Sequence, residues 1–244
     1  YTPFLDSLMQ QSAWWRYSYA NGRKSIDAMP SILAGIPSIE EPYILSPYSS
    51  NNINGIASVL RGEGYHTAFF HGAPNGSMGF NGVANLAGFE EYYGMTEYGN
   101  NEHFDKTGGI FDEEFFQYYA HTMNGMQEPF CTALFSLSSH TPFTLPERYK
   151  NVYSDSTPFL NVLQYSDNAL RLFFETASQM PWFENTLFVL SADHGGTYRY
   201  HDRYKTTAGV FAIPIVFYAP GDQTPAGPRE GPAQQTDVLP TVLS

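Results

Sequence analysis

Asp193 and His194 put a carboxylate beside an imidazole, inside Ser191-Ala192-Asp193-His194-Gly195-Gly196 and directly after the apolar run Thr186-Leu187-Phe188-Val189-Leu190. A hard oxygen donor next to a borderline nitrogen donor, on a backbone freed by glycine, suits a divalent metal. The same pair also suits an aspartate capping a helix beside a surface histidine. Two more apolar runs end in polar residues, one at His71-Gly72 and one at Ser138-Ser139-His140. Parallel strands deliver their carboxyl ends to one edge of a sheet, so His71, His140, Asp193 and His194 are expected to converge there.

Ser25 is the candidate nucleophile, within Asn21-Gly22-Arg23-Lys24-Ser25-Ile26-Asp27 at an expected helix start. An ordinary N-cap serine fits that place equally well. A hydroxyl attacks poorly at neutral pH unless a base or a metal activates it. A helix N-terminus would stabilise an alkoxide or a bound phosphate, with Lys24 and Arg23 adding positive charge. The loop His71-Gly72-Ala73-Pro74-Asn75-Gly76-Ser77-Met78-Gly79-Phe80 has glycines that permit close approach to an anion. His66, His103 and His121 lack a strand-end placement and read as surface or packing residues. His201 could approach the site, but its spacing does not require it.

The pattern of elements that would position these residues is α/β. Helices are expected over residues 3–13, 25–33, 51–63, 111–123 and 158–180, and strands over 66–70, 130–137, 186–190 and 213–218. Strands alternating with helices imply a mainly parallel sheet covered by helices on both faces. With 244 residues and no composition shift, a single domain over residues 1–244 is expected. The net charge of −12 argues against a nucleic-acid partner. The sole cysteine, Cys131, excludes an internal disulfide and lies in an apolar run, where a small buried side chain is expected rather than a nucleophile. No run approaches the roughly 20 apolar residues of a membrane helix.

In order along the chain, the nucleophile segment, Ala34-Gly35-Ile36-Pro37-Ser38, the His71-Gly72-x-x-Asn75-Gly76 loop, Ser139-His140-Thr141-Pro142-Phe143 and Asp193-His194 resemble the sulfatase/alkaline-phosphatase superfamily. The likeness is greatest to its lipoteichoic-acid-synthase and phosphoglycerol-transferase branch. It implies an alkaline-phosphatase-like fold and a divalent metal, manganese first, with magnesium, calcium or zinc as alternatives. The metal would be held by Asp193, His194 and the Ser25 oxygen. It further implies that His71, His140, Asn75 and Lys24 bind the substrate, a phospholipid or polyol phosphate. The reaction implied is a double displacement at phosphorus through a Ser25 ester. The resemblance also implies an extracytoplasmic domain of a membrane-anchored bacterial protein.

The chain departs from that branch in several places. Ser25 stands where the branch has threonine, and Met78 and Phe80 stand where a tryptophan–arginine pair is usual. The family's glutamate ligand ends a first strand, which is expected before Tyr1; neither Glu40 nor Glu41 replaces it, so the chain is expected to be a catalytic domain truncated at both ends and lacking that strand. Ser25 is followed by Ile26, Asp27, Ala28 and Met29, without the proline and arginine of the formylglycine signature of true sulfatases. Two alternatives to transfer or hydrolysis of a phosphodiester remain. One is a sulfuric ester hydrolase, and the other is a domain that binds head groups without turnover.

Overall fold

The stretch Ala13-Trp14-Trp15-Arg16-Tyr17-Ser18-Tyr19 is a strand, not the end of the first helix, which stops at Met9. Aromatic side chains favour the pleated, half-buried surface of a sheet. A bulge between Trp15 and Tyr17 interrupts the alternation that would have announced the strand.

The computed structural model describes residues 1–221 and 225–244. Among them the strands are β1 (Ala13–Tyr19), β2 (His66–His71), β3 (Glu91–Tyr93), β4 (Phe130–Phe135), β5 (Phe188–Ser191), β6 (Ile215–Tyr218) and β7 (Gly227–Gln234). The helices are α1 (Pro3–Met9), α2 (Ser25–Ala34), α3 (Ile56–Gly62), α4 (Phe80–Leu86), α5 (Met95–Tyr98), α6 (Asp112–Met123), α7 (Pro158–Ala177) and α8 (Val238–Leu243). The chain is α/β, with a mainly parallel arrangement of strands flanked by helices: among the described residues three of the five strand pairings are parallel. The helix expected from residue 51 begins only at Ile56, after Gly55, and the one expected to reach residue 180 ends at Ala177.

The residues fall into two compact units. One comprises residues 9–64, 78–89 and 187–244 and holds a four-stranded sheet in the order β5-β6-β1-β7. Here β1 pairs with β7 in parallel, whereas β6 runs antiparallel to both β1 and β5. Ala13, Ala20, Ile213, Ile215, Phe217 and Val238 form its core, with Trp15, Ile32, Val189 and Val242 packed against them. Val238 and Val242 belong to α8 and Ile32 to α2, so both helices cover this sheet.

The other unit comprises residues 1–8, 65–77 and 90–186, with the all-parallel sheet β3-β2-β4. Central β2 is the most buried strand, with Ala68, Phe69, Phe70 and His71 at 2% exposure or less. Phe70 stacks on Tyr93 at 4.6 Å and meets Tyr119 of α6 edge-on at 4.6 Å. Tyr119 in turn stacks on Phe173 of α7, so α7 is fastened to the sheet through α6. No described helix is long and apolar enough to cross a membrane.

Candidate active site

The direction of the strands in the four-stranded sheet gathers the site. Strands β1 and β5 both run antiparallel to the β6 between them, so they point the same way, and β7 runs parallel to β1. The carboxyl ends of all three therefore leave from one edge, where open α/β sheets hold their ligands. From β1 the chain runs through residues 20–24 into α2; from β5 it runs into Ala192 and Asp193.

Ser25 is the first residue of the ten-residue α2, with Lys24 exposed and extended at the N-cap. Buried Asp27 shapes this entry: one carboxylate oxygen accepts the amide hydrogens of Arg23 and Lys24, each at 3.1 Å. Gly22 presses against it, and a Cβ there would lie 2.2 Å from the Asp27 Cβ, so the turn requires glycine. The Ser25 hydroxyl donates to Asp193 Oδ2 at 2.6 Å. That is the usual length of a hydroxyl hydrogen bond to a carboxylate.

Asp193 Oδ1 accepts the His194 amide hydrogen at 2.9 Å. His194 Nδ1 lies 3.1 Å from the Gly195 carbonyl, which can only accept, so Nδ1 holds the hydrogen. Nε2, which carries the lone pair whenever the ring is neutral, lies 3.4 Å from Asp193 Oδ2. A lone pair facing a carboxylate oxygen is an arrangement that a cation between them relieves. Both side chains are about a third exposed, so the locus is open to an entering ligand. A hydroxyl, a carboxylate and an imidazole nitrogen thus fit part of a divalent metal's coordination sphere. Among the described residues no cluster of three or more His, Cys, Asp and Glu side chains forms a fuller cage.

His71, His140 and Asn75 belong to the other unit. His71 is fully buried; its Nδ1 donates to the Phe135 carbonyl at 3.0 Å, and burial lowers its pKa from the usual value, which favours the neutral ring. His140 is exposed, with Nδ1 on the Thr141 carbonyl at 2.8 Å. Asn75 spends its amide on α5: Nδ2 donates to both Glu97 carboxylate oxygens, at 3.1 and 2.9 Å, and Oδ1 accepts from the Thr96 amide at 3.3 Å. His66 pairs with Glu91 at 3.1 Å, His103 bonds the Tyr98 hydroxyl, and His121 and His201 are exposed. Burial pushes the Cys131 thiol up to about 12, so no thiolate forms at neutral pH.

One residue at the strand-end edge escapes a reading by type and spacing. Gln235, fully buried just after β7, reaches both the Asp193 turn and the Asn21 loop. A glutamine in Gln234-Gln235-Thr236-Asp237 resembles any polar turn, and only strand direction reveals where it points.

A family model described as Sulfatase matches residues 1–244. Among curated proteins, lipoteichoic acid synthase 2 of Bacillus subtilis (strain 168) is 21% identical over 99% of this chain and 40% of its own length. Lipoteichoic acid synthase of Staphylococcus aureus (strain USA300) is 24% identical over 99% of this chain and 41% of its own. The chain therefore spans about two fifths of these relatives. Among solved structures, the lipoteichoic acid synthase LtaP of Listeria monocytogenes matches with a TM-score of 0.87 at 20% identity, over 99% of this chain and 65% of that one. A protein of the alkaline phosphatase superfamily from Vibrio parahaemolyticus matches with a TM-score of 0.86 at 25% identity, over 99% of this chain and 59% of that one. The structural matches establish an alkaline-phosphatase-superfamily fold.

Proposed function

The chain belongs to the sulfatase family, and on that premise we propose that it is the catalytic part of a phosphodiester-directed transferase or hydrolase with Ser25 as its nucleophile. The observation that carries the proposal is the 2.6 Å hydrogen bond from the Ser25 hydroxyl to Asp193 Oδ2, at the start of a ten-residue helix. Asp193 Oδ2, which accepts the Ser25 hydrogen bond, takes the hydroxyl proton as the Ser25 oxygen attacks. That oxygen forms a bond to phosphorus as the bond to the leaving alkoxide breaks, and the alkoxide takes the proton from Asp193. A second hydroxyl, from an acceptor or from water, then attacks the Ser25 ester, giving its own proton by way of Asp193 to the departing Ser25 oxygen. The positive end of the α2 dipole and the Lys24 ammonium offset negative charge on the phosphoryl oxygens.

Asp193, His194 and the Ser25 oxygen would hold a divalent metal, with manganese the first expectation. When bound, it would supply positive charge that polarises a phosphoryl oxygen and favours the ionised hydroxyl. The resemblance to the lipoteichoic-acid-synthase branch supports a phospholipid or polyol-phosphate donor such as phosphatidylglycerol, and the curated relatives matched are named lipoteichoic acid synthases. His71, His140 and Asn75 are proposed on the same resemblance to contribute to head-group binding. The parent protein is proposed to be membrane-anchored, with this domain outside the cytoplasm. A protease added to intact cells should then cleave the domain, whereas protection until lysis would overturn the placement.

The test of the chemistry uses the full-length, manganese-loaded parent protein and a fluorescent phosphatidylglycerol. Ser25→Ala should lower turnover at least about a thousandfold, as loss of a nucleophile does. Ser25→Thr, which keeps the hydroxyl, should retain measurable activity. Wild-type turnover in Ser25→Ala would overturn the nucleophile. Turnover of an aryl sulfate but not of the phosphodiester would favour a sulfuric ester hydrolase. Head-group affinity without turnover would mark a binding domain.

A further inference from the structure

We infer that Gln235 is a positioning residue for Ser25, the buried cross-brace that holds the nucleophile loop against the Asp193 turn; this rests on the reading of Ser25 and Asp193 given above. Its carboxamide has two hydrogens and one oxygen to offer, and all are used on backbone groups. Nε2 donates to the Ala192 carbonyl at 2.9 Å and to the Asp193 carbonyl at 2.8 Å. Oε1 accepts the Asn21 amide hydrogen at 3.0 Å. One side chain thereby ties the exit of β5 to the exit of β1.

Asn21 closes the same junction from the other side. Its Oδ1 accepts the Thr236 amide hydrogen at 3.1 Å and its Nδ2 donates to Gln234 Oε1 at 2.6 Å. The brace has a firm base, because β7 pairs with β1 up to Tyr19 opposite Gln234. Four residues beyond Asn21 lies Ser25, and the carbonyl held by Nε2 belongs to Asp193 itself, the residue whose carboxylate accepts the Ser25 hydrogen.

The requirement is specific to glutamine. Glutamate has the length but no hydrogens for the two carbonyls, and would turn a charge toward them. Methionine fills the volume and satisfies none of the three groups. Asparagine is one methylene short. Since buried backbone groups left without partners move to find others, each of these substitutions should shift the two segments apart. A displacement of the order of 1 Å at reacting atoms lowers rate about a hundredfold.

The experiment compares the full-length protein with Gln235→Glu, Gln235→Met, Asn21→Ala and Ser25→Ala. It measures kcat and KM on the fluorescent phosphodiester, thermal midpoints, and amide exchange at residues 20–25 and 192–195. With Ser25→Ala inactive, the Gln235 variants should lose roughly tenfold to a hundredfold in kcat while KM stays within about twofold. Exchange should rise in both segments. Asn21→Ala, a half-buried site that leaves the carboxamide bonds to main chain in place, should give a smaller kcat loss that is not additive with Gln235→Met. Should no Gln235 variant fold, wild-type kcat with unchanged exchange at residues 20–25 and 192–195 in Asn21→Ala would overturn the inference. Wild-type kcat in folded Gln235 variants, or full additivity with Asn21→Ala, would overturn the inference while leaving Ser25 as the nucleophile. An active Ser25→Ala would overturn the nucleophile and this positioning role with it.

Discussion

Asp112, buried at the first position of α6, accepts the amide hydrogens of Leu137 at 2.8 Å and Ser138 at 3.0 Å, and so pins the segment that leads from β4 to His140. Burial outweighs those hydrogen bonds and pushes its pKa up to about 6. A carboxyl whose folded pKa exceeds its unfolded one binds its proton more tightly when folded. Its contribution to stability is therefore full below about pH 4 and is lost as pH rises through about 6, by at most about 3 kcal/mol. Urea unfolding of the wild type and Asp112→Asn between pH 4 and 7 should show the wild type gaining relative stability on acidification; parallel curves would count against it. At the Asp193 turn, a Cβ on Gly195 would sit 2.3 Å from the Val210 carbonyl. Gly195→Ala should displace His194 and lower the thermal midpoint by several degrees, the equivalent of about 1–3 kcal/mol. Ser25, Asp193 and His194 are conspicuous in the sequence because their side chains carry chemistry in themselves. Asp27, Asp112 and Gln235 are not, because they act by receiving or offering hydrogen bonds to distant backbone, and no local spacing encodes that.

Among the elements, α1 illustrates how a short helix is held by another. Its opening amides of Phe4 and Leu5 donate to the two carboxylate oxygens of Asp167 on α7, both at 2.9 Å, and Phe4 packs on Phe174 at 5.5 Å. A seven-residue helix is marginal alone, so this remote cap is expected to decide whether α1 forms. Asp167→Ala should destabilise it by about 1–2 kcal/mol, seen as faster amide exchange confined to residues 3–9. Unchanged protection there would show that apolar packing alone holds α1. Helices α2, α6 and α7 and strands β2 and β4 were legible because apolar periodicity and flanking glycine or proline mark them. Strand β7 was not: Gly227-Pro228-Arg229-Glu230-Gly231-Pro232-Ala233-Gln234 has the composition of a loop and is a strand only because β1 pairs with it. Missing β1 and β7 hid the fact that three strand ends share one edge.

At the scale of the whole molecule, each compact unit is assembled from three separate segments, so no linker or change of composition marks a boundary along the chain. What the whole sequence does state is charge: 24 acidic against 12 basic residues, net −12. On the proposed function an anionic phosphodiester would approach that field, with Arg23 and Lys24 exposed beside Ser25 as local opposition to it. Screening length falls from about 30 Å at 10 mM salt to about 8 Å at 150 mM. Over the longer distance the net charge dominates and repels; over the shorter one only nearby groups are felt. For anionic micelles of a short-chain phosphatidylglycerol, kcat/KM should therefore rise a few-fold as monovalent salt is raised over that range, with kcat unchanged. A zwitterionic phosphodiester should show no such dependence. A fall in kcat/KM for the anionic substrate would mean that the cations at the start of α2 outweigh the rest of the chain even at long range. Arg23→Gln combined with Lys24→Gln should then abolish that fall.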